Sequence, residues 1–102
     1  MPLYDAHIHL ADERLRPFNR RIMERLDALH WGGGVVNGTS PKDWEAVLAL
    51  ASGDARLIPA VGLHPWKVAA APENWKARFQ EAIAGGARAV GEIGLDRWIQ
   101  PH

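Results

Sequence analysis

The sequence predicts an α/β fold of parallel β/α units, and three observations carry that prediction. Apolar runs of strand length alternate with stretches of helical spacing along the 102-residue chain. The connections between them are short, which favours right-handed βαβ units and a parallel sheet. Several strands also turn polar toward their carboxyl ends, as the inner face of a β/α barrel does at its catalytic rim. A flavodoxin-like open sheet is the competing arrangement.

Residues 3 to 9 read as the first strand. In DAHIHL (5–10), the two-residue period puts Asp5, His7 and His9 on one face and Tyr4, Ala6, Ile8 and Leu10, all apolar in body, on the other. The second face is expected to meet helices, since parallel sheets are covered. Residues 17 to 30 follow as a helix, with Pro17 suited to its start and Phe18, Ile22, Leu26 and Leu29 at helical spacing. Gly32-Gly33-Gly34 is expected to end it, and VVNGT (35–39) reads as the second strand. Ser40 then looks like an N-cap, with Pro41 at the first helical position and Asp43 three residues after the cap. The stripe Trp44, Val47, Leu48, Ala51 carries that helix to Ser52 and Gly53. RLIPAVGLH (56–64) is the third strand, with Pro59 a mild objection. Trp75, Phe79, Ala82 and Ile83 mark a third helix, closed by Gly85-Gly86, and ARAVGEIGL (87–95) is the fourth strand. Trp44 and Trp75 fall on helical stripes and read as core. His30, at a helix carboxyl end, reads as structural.

Composition narrows the function classes. Twelve basic and twelve acidic residues cancel, so nothing indicates a general affinity for nucleic acid or membrane surfaces. A phosphate substrate stays open, because a metal can supply positive charge locally. The absence of cysteine removes disulfides, thiolate nucleophiles and Cys-based zinc sites. No apolar run approaches the roughly 18 residues of a membrane span. The start MPLYDAHIHL lacks the pattern of a signal peptide, so a cytoplasmic protein is expected. The glycines at 32–34 form neither a G-x-G-x-x-G nor a P-loop pattern.

The strand ends carry the chemistry. Ile58, Ala60, Gly62 and His64 share one face of the third strand, and Val90, Glu92, Gly94 and Asp96 share one face of the fourth. The second strand brings Asn37 and Thr39. Together the four strands deliver His7, His9, Asn37, His64, Glu92 and Asp96 to one rim, with Gly62 and Gly94 expected to leave room for a ligand. Each has an ordinary reading alone: Glu92 paired with Arg97 or Arg88, His64-Pro65 a turn, Asp96 beside Arg97 a solvated pair. Their joint placement favours a metal site. Two imidazoles on one strand face can chelate an ion that a carboxylate from another strand completes, and a carboxylate buried there needs such a partner.

DAHIHL, GLHPW (62–66) and GEIGLDR (91–97), in this order and spacing, resemble the TatD-related metal-dependent hydrolases of the amidohydrolase-like group. The resemblance runs from about residue 3 to residue 99, and GEIGLD is its most specific part. It implies the first four strands of a TIM-type (β/α)8 barrel and a deoxyribonuclease activity on phosphodiester bonds, with DNA as substrate and no membrane partner. It implies divalent metal ions, two in a complete member (Mg, Mn or Zn), with His7 and His9 binding the first and Glu92 binding or bridging. It places His64 near the substrate phosphate, leaves Asp96 and Arg97 as substrate-binding candidates, and puts Asp5 behind the ligands; Asn37, from its place at the end of the second strand, is expected behind them too.

The family's barrel has about 250 residues. The expectation for this chain is therefore a single partial-barrel domain over 1–102, the amino-terminal half of such a hydrolase. The family's later histidines and its aspartate base have no counterpart in it, so no catalytic base is identifiable; neither Asp54 nor His102 is placed by a motif to serve. Four strands would leave open sheet edges, for a second copy or the carboxyl-terminal half to close. Alone, the chain is expected to be a weak enzyme or none. The alternatives are a non-catalytic metal-binding or assembly module, and another H-x-H barrel hydrolase such as a phosphoesterase or cyclic amidase.

Overall fold

The structure, a computed structural model, describes residues 2–98. Four parallel strands form one sheet, with β1 (Leu3–Ile8), β2 (Trp31–Asn37), β3 (Leu57–Val61) and β4 (Ala89–Val90) side by side in chain order. The helices α1 (Asn19–Ala28), α2 (Pro41–Gly53) and α3 (Trp75–Ala84) make the crossovers. Short 3-10 segments, Glu13–Phe18 and Pro65–Ala70, follow β1 and β3. The strand order never reverses, as it would in a flavodoxin-like sheet. This is the α/β architecture of the first half of a TIM-type barrel, as the sequence predicts.

Two apolar clusters fix the helices to the sheet. In the first, Leu10, Trp31, Val36, Val47 and Leu57 are buried, and Ile8, Ile22, Met23, Leu26 and Leu50 pack around them. In the second, Trp44, Val61 and Ala82 are buried under Leu48, Leu63, Phe79 and Ala87. Helix α2 and strand β3 both contribute to the two clusters and so join the two halves of the core. The start of α2 follows the sequence signal: Pro41 opens it, and the Asp43 carboxylate reaches back to the Ser40 amide at 3.3 Å and the Thr39 amide at 2.9 Å. The Trp44 indole N–H donates to the Gly62 carbonyl at 3.0 Å, tying α2 to the chain just beyond β3.

Several boundaries differ from the sequence reading. Pro17 lies in the first 3-10 segment, and α1 starts at Asn19. That helix ends at Ala28, and His30 takes the left-handed conformation beyond its end (φ 57°). The turn is thus made before the glycine run, and Gly32–Gly34 belong to β2 instead of closing the helix. The apolar face of β1 is only half covered. Ile8 and Leu10 pack into the core, but α1 lies over β2, and Tyr4 and Ala6 stay exposed. Phe18 and Leu29 are exposed for the same reason, and Trp75 is half-buried where core was expected. Strand β4 is two residues long, so the alternation expected through Asp96 stops at Val90. His102 lies outside the described residues.

Candidate metal centre

The site is built where the chain leaves β4. The Gly91 amide donates to the Val61 carbonyl at 3.0 Å, and the next amide, Glu92, donates to the Gly38 carbonyl at 2.8 Å. The segment therefore bends across the ends of β3 and β2 toward β1. Two glycines permit this. A Cβ at Gly62 would lie 2.8 Å from the Glu92 carbonyl oxygen, and a Cβ at Gly91 would collide with the Asn37 Oδ1. Gly62 therefore admits the backbone of Glu92 and does not leave the open space expected for a ligand. The position of a Cβ on Gly94 is open, with nothing within 4 Å.

This path brings the Glu92 carboxylate among three imidazoles. Its Oε2 lies 2.9 Å from His9 Nε2 and 3.2 Å from His7 Nε2, and the two Nε2 atoms are 3.0 Å apart. Metal–nitrogen bonds of about 2.0–2.1 Å at tetrahedral angles separate neighbouring ligand atoms by roughly 3.3 Å. The three atoms are thus spaced as one ion would hold them. The chemistry agrees, since converging nitrogen lone pairs and a carboxylate oxygen need a proton or a cation among them. The residues fit a divalent metal such as zinc or manganese, and His7, His9 and Glu92 form a group of suitable donors.

His64 meets the other carboxylate oxygen. Its Nδ1 accepts the Trp66 amide at 3.0 Å, so in the neutral ring the proton sits on Nε2, which faces Glu92 Oε1 at 3.3 Å. A hydrogen bond there orients the carboxylate and leaves Oε2 to the His7–His9 pair. The His64 amide donates to the Thr39 carbonyl at 2.8 Å, which fixes the ring's base at the end of β2.

The remaining candidates are placed less centrally. Asp5 Oδ1 accepts the His7 amide at 3.0 Å, which braces the strand carrying both histidines. Asn37 is buried and donates to the Val35 carbonyl at 3.1 Å, beneath Gly91. The Asp96 carboxylate accepts the Trp66 indole N–H at 2.7 Å and the Trp98 amide at 2.9 Å, so it braces the loop that holds His64. Arg97 is exposed in the turn that follows. Asp54, weighed in the sequence as a replacement base, pairs with Arg56 at 2.7 Å in the turn before β3. Trp66 is the residue the sequence reading passed over: it sits in GLHPW two positions after His64, and its exposed ring borders the site.

Beside the metal group runs an open groove of about 970 Å³, with His9, His64, Trp66, Arg16, Lys42 and Lys67 in its walls. Its acids are largely occupied. Asp43 caps α2, and Asp12 is held by Arg14 through a 2.7 Å ion pair and the Arg14 amide. The side-chain hydrogen bonds from Arg14 hold the Asp12 carboxyl at about 2.

Among the described residues, no helix is long and apolar enough to cross a membrane. Comparison with curated proteins gives no match. The sequence profile of the TatD related DNases matches residues 4–102. With that match spanning nearly the whole chain, and with its members metal-dependent, the chain belongs to the TatD related DNase family.

Proposed function

We propose that this domain carries the metal-binding half of a deoxyribonuclease site, in which His7, His9 and Glu92 hold a divalent ion for the hydrolysis of DNA phosphodiester bonds. The observation that carries the reading is the convergence of His7 Nε2, His9 Nε2 and Glu92 Oε2 within 2.9–3.2 Å of one another. A bound divalent ion would supply Lewis acidity toward phosphate and a more acidic water. The chain's own residues do the positioning. Asp5 holds the strand that presents both imidazoles. His64 keeps Glu92 turned toward them, with both of its ring nitrogens engaged. Asp96 and Trp66 hold the His64 loop in place, and Arg97, next to Asp96 in the chain, is kept as a substrate-binding candidate.

The open edges of the sheet support a second part of this reading. Leu3 and Tyr4 on β1 and Val90, Ile93, Leu95 and Trp98 along and beyond β4 are exposed. Further parallel strands added there would cover them and complete a barrel, from more of the same polypeptide or from a second copy. One observation favours the non-catalytic alternative, a metal-binding module: both oxygens of Glu92 face imidazoles, so the carboxylate at the centre is not free to act as a base.

Calorimetric titration of the protein with Mn2+, run beside a DNA cleavage assay, separates the two. Stoichiometric binding with at most weak Mn2+-dependent cleavage, which Glu92→Gln abolishes, is the expected result. Binding without cleavage would favour the metal-binding module, and no binding would refute both.

A further inference from the structure

The groove beside the metal group has one wall that the site as described does not use. Trp66 is 57% exposed, although burying an indole is worth a great deal to a small domain. Its exposure is not looseness. The indole N–H, its single polar group, is satisfied by Asp96 Oδ2 at 2.7 Å, and its backbone amide is held by His64 Nδ1 at 3.0 Å. The ring stands nearly perpendicular to the His64 imidazole, at 81° and 5.5 Å between centroids. His64 in turn contacts Glu92. A rigid, exposed aromatic surface therefore stands one imidazole away from the carboxylate of the metal group.

The same groove carries the charge that a polyanion requires. Arg16, Lys42 and Lys67 line it, and among the described residues none of the three makes an ion pair; of the acids in its walls, Asp12 is matched by Arg14, Asp43 is engaged at the start of α2, and Glu13 makes no ion pair, so the free cations outnumber the free acids. An aromatic platform in a groove with free cations is the combination that binds unpaired nucleic acid: bases stack on the ring and phosphates meet the cations. A duplex interior would not use it, because each base there is already stacked on both faces.

We propose that Trp66 is a base-stacking platform of this site, on which one unpaired base of the substrate rests while the neighbouring phosphates face Lys67, Lys42 and Arg16. This rests on the reading of the site as one that acts on DNA. Stacking is sequence-tolerant, since every base has a π-face, so Trp66 would hold a base without selecting sequence. An immobilised ring also loses little conformational entropy on binding.

The test compares two cleavage-resistant phosphorothioate strands of equal length in Mg2+ buffer, one oligothymidylate and one abasic, by fluorescence anisotropy with the full protein. The wild-type protein should bind the thymidylate strand at least about fivefold more tightly than the abasic strand. Trp66→Ala should bring the thymidylate affinity down to the abasic level, and Trp66→Phe should keep most of the difference. Equal wild-type affinity for the two strands would overturn the stacking role, and that comparison needs no variant to fold. Discrimination retained in Trp66→Ala would overturn it as well. If the wild-type protein bound neither strand, the nucleic-acid reading itself would fall, which is a distinct result from equal binding of both.

Discussion

At the scale of single residues, the account turns on which atom faces which. Glu92 divides its two oxygens, Oε2 to the His7–His9 pair and Oε1 to His64. If His64 orients the carboxylate, His64→Ala should weaken Mn2+ binding by roughly 10–100-fold while leaving all three proposed ligands in place. Calorimetry checks this, and an unchanged affinity would mean that His64 serves the substrate alone. Asp12 offers a separate residue-scale prediction at the groove wall. Arg14 lowers its carboxyl from the ordinary 3.8 to about 2. A carboxyl depressed in the folded state contributes stability that is fully present above its unfolded value and is lost as pH falls through the folded one. The Asp12–Arg14 link should therefore hold at neutral pH and come apart between about pH 4 and pH 2. NMR titration of the Asp12 carboxyl should show its midpoint near 2, and Arg14→Ala should return it to the usual carboxylate range.

At the scale of elements, what matters is how the chain leaves β4. Glu92 reaches β1 because the segment after Val90 folds over Gly62 and Gly38. Gly62→Ala should push the Glu92 backbone away, since the new methyl would meet its carbonyl oxygen at 2.8 Å. The expected outcome is a metal affinity lowered by tenfold or more in a protein that keeps its helical circular dichroism, although no ligand has been changed. The elements themselves were legible in the sequence to different degrees. Helix α2 could be read almost to the residue, because Ser40, Pro41 and Asp43 state its start and Gly53 its end. Helix α3 was equally plain from Trp75, Phe79 and Ala82. The glycine run misled, because His30 makes the left-handed turn that the glycines were expected to make. The alternation through Glu92 and Asp96 also misled. Both side chains do reach the rim, but by a bent segment that turns Glu92 to the histidines and Asp96 to Trp66. Periodicity describes a strand and carries no information on where one stops. The platform at Trp66 was hidden in GLHPW for a related reason: an aromatic beside His-Pro reads as packing until its exposure is known.

At the scale of the whole molecule, the two ends of the sheet have different work. The carboxyl ends of the strands gather His7, His9 and Glu92, the residues proposed to hold a metal, and the amino ends hold the structure together. Arg56 is central to the second task. It pairs with Asp54 at 2.7 Å and Asp27 at 2.6 Å, and its guanidinium lies over Trp31 at 5.4 Å. Its hydrogen bonds also hold the Asp54 carboxyl below the usual range. Arg56→Ala should lower the chemical denaturation midpoint only slightly, without changing metal affinity, because the pairs are partly exposed. Lys should not restore the loss, lacking the planar fork that meets Asp54 twice. The division of labour between the two ends depends on the metal group being real, and one measurement addresses that directly. Crystals soaked in Mn2+ or Zn2+ and measured at the metal's absorption edge should show an anomalous peak within bonding distance, about 2.0–2.2 Å, of His7 Nε2, His9 Nε2 and Glu92 Oε2. An ion bound elsewhere, or no peak among these three atoms at saturating metal, would contradict the account.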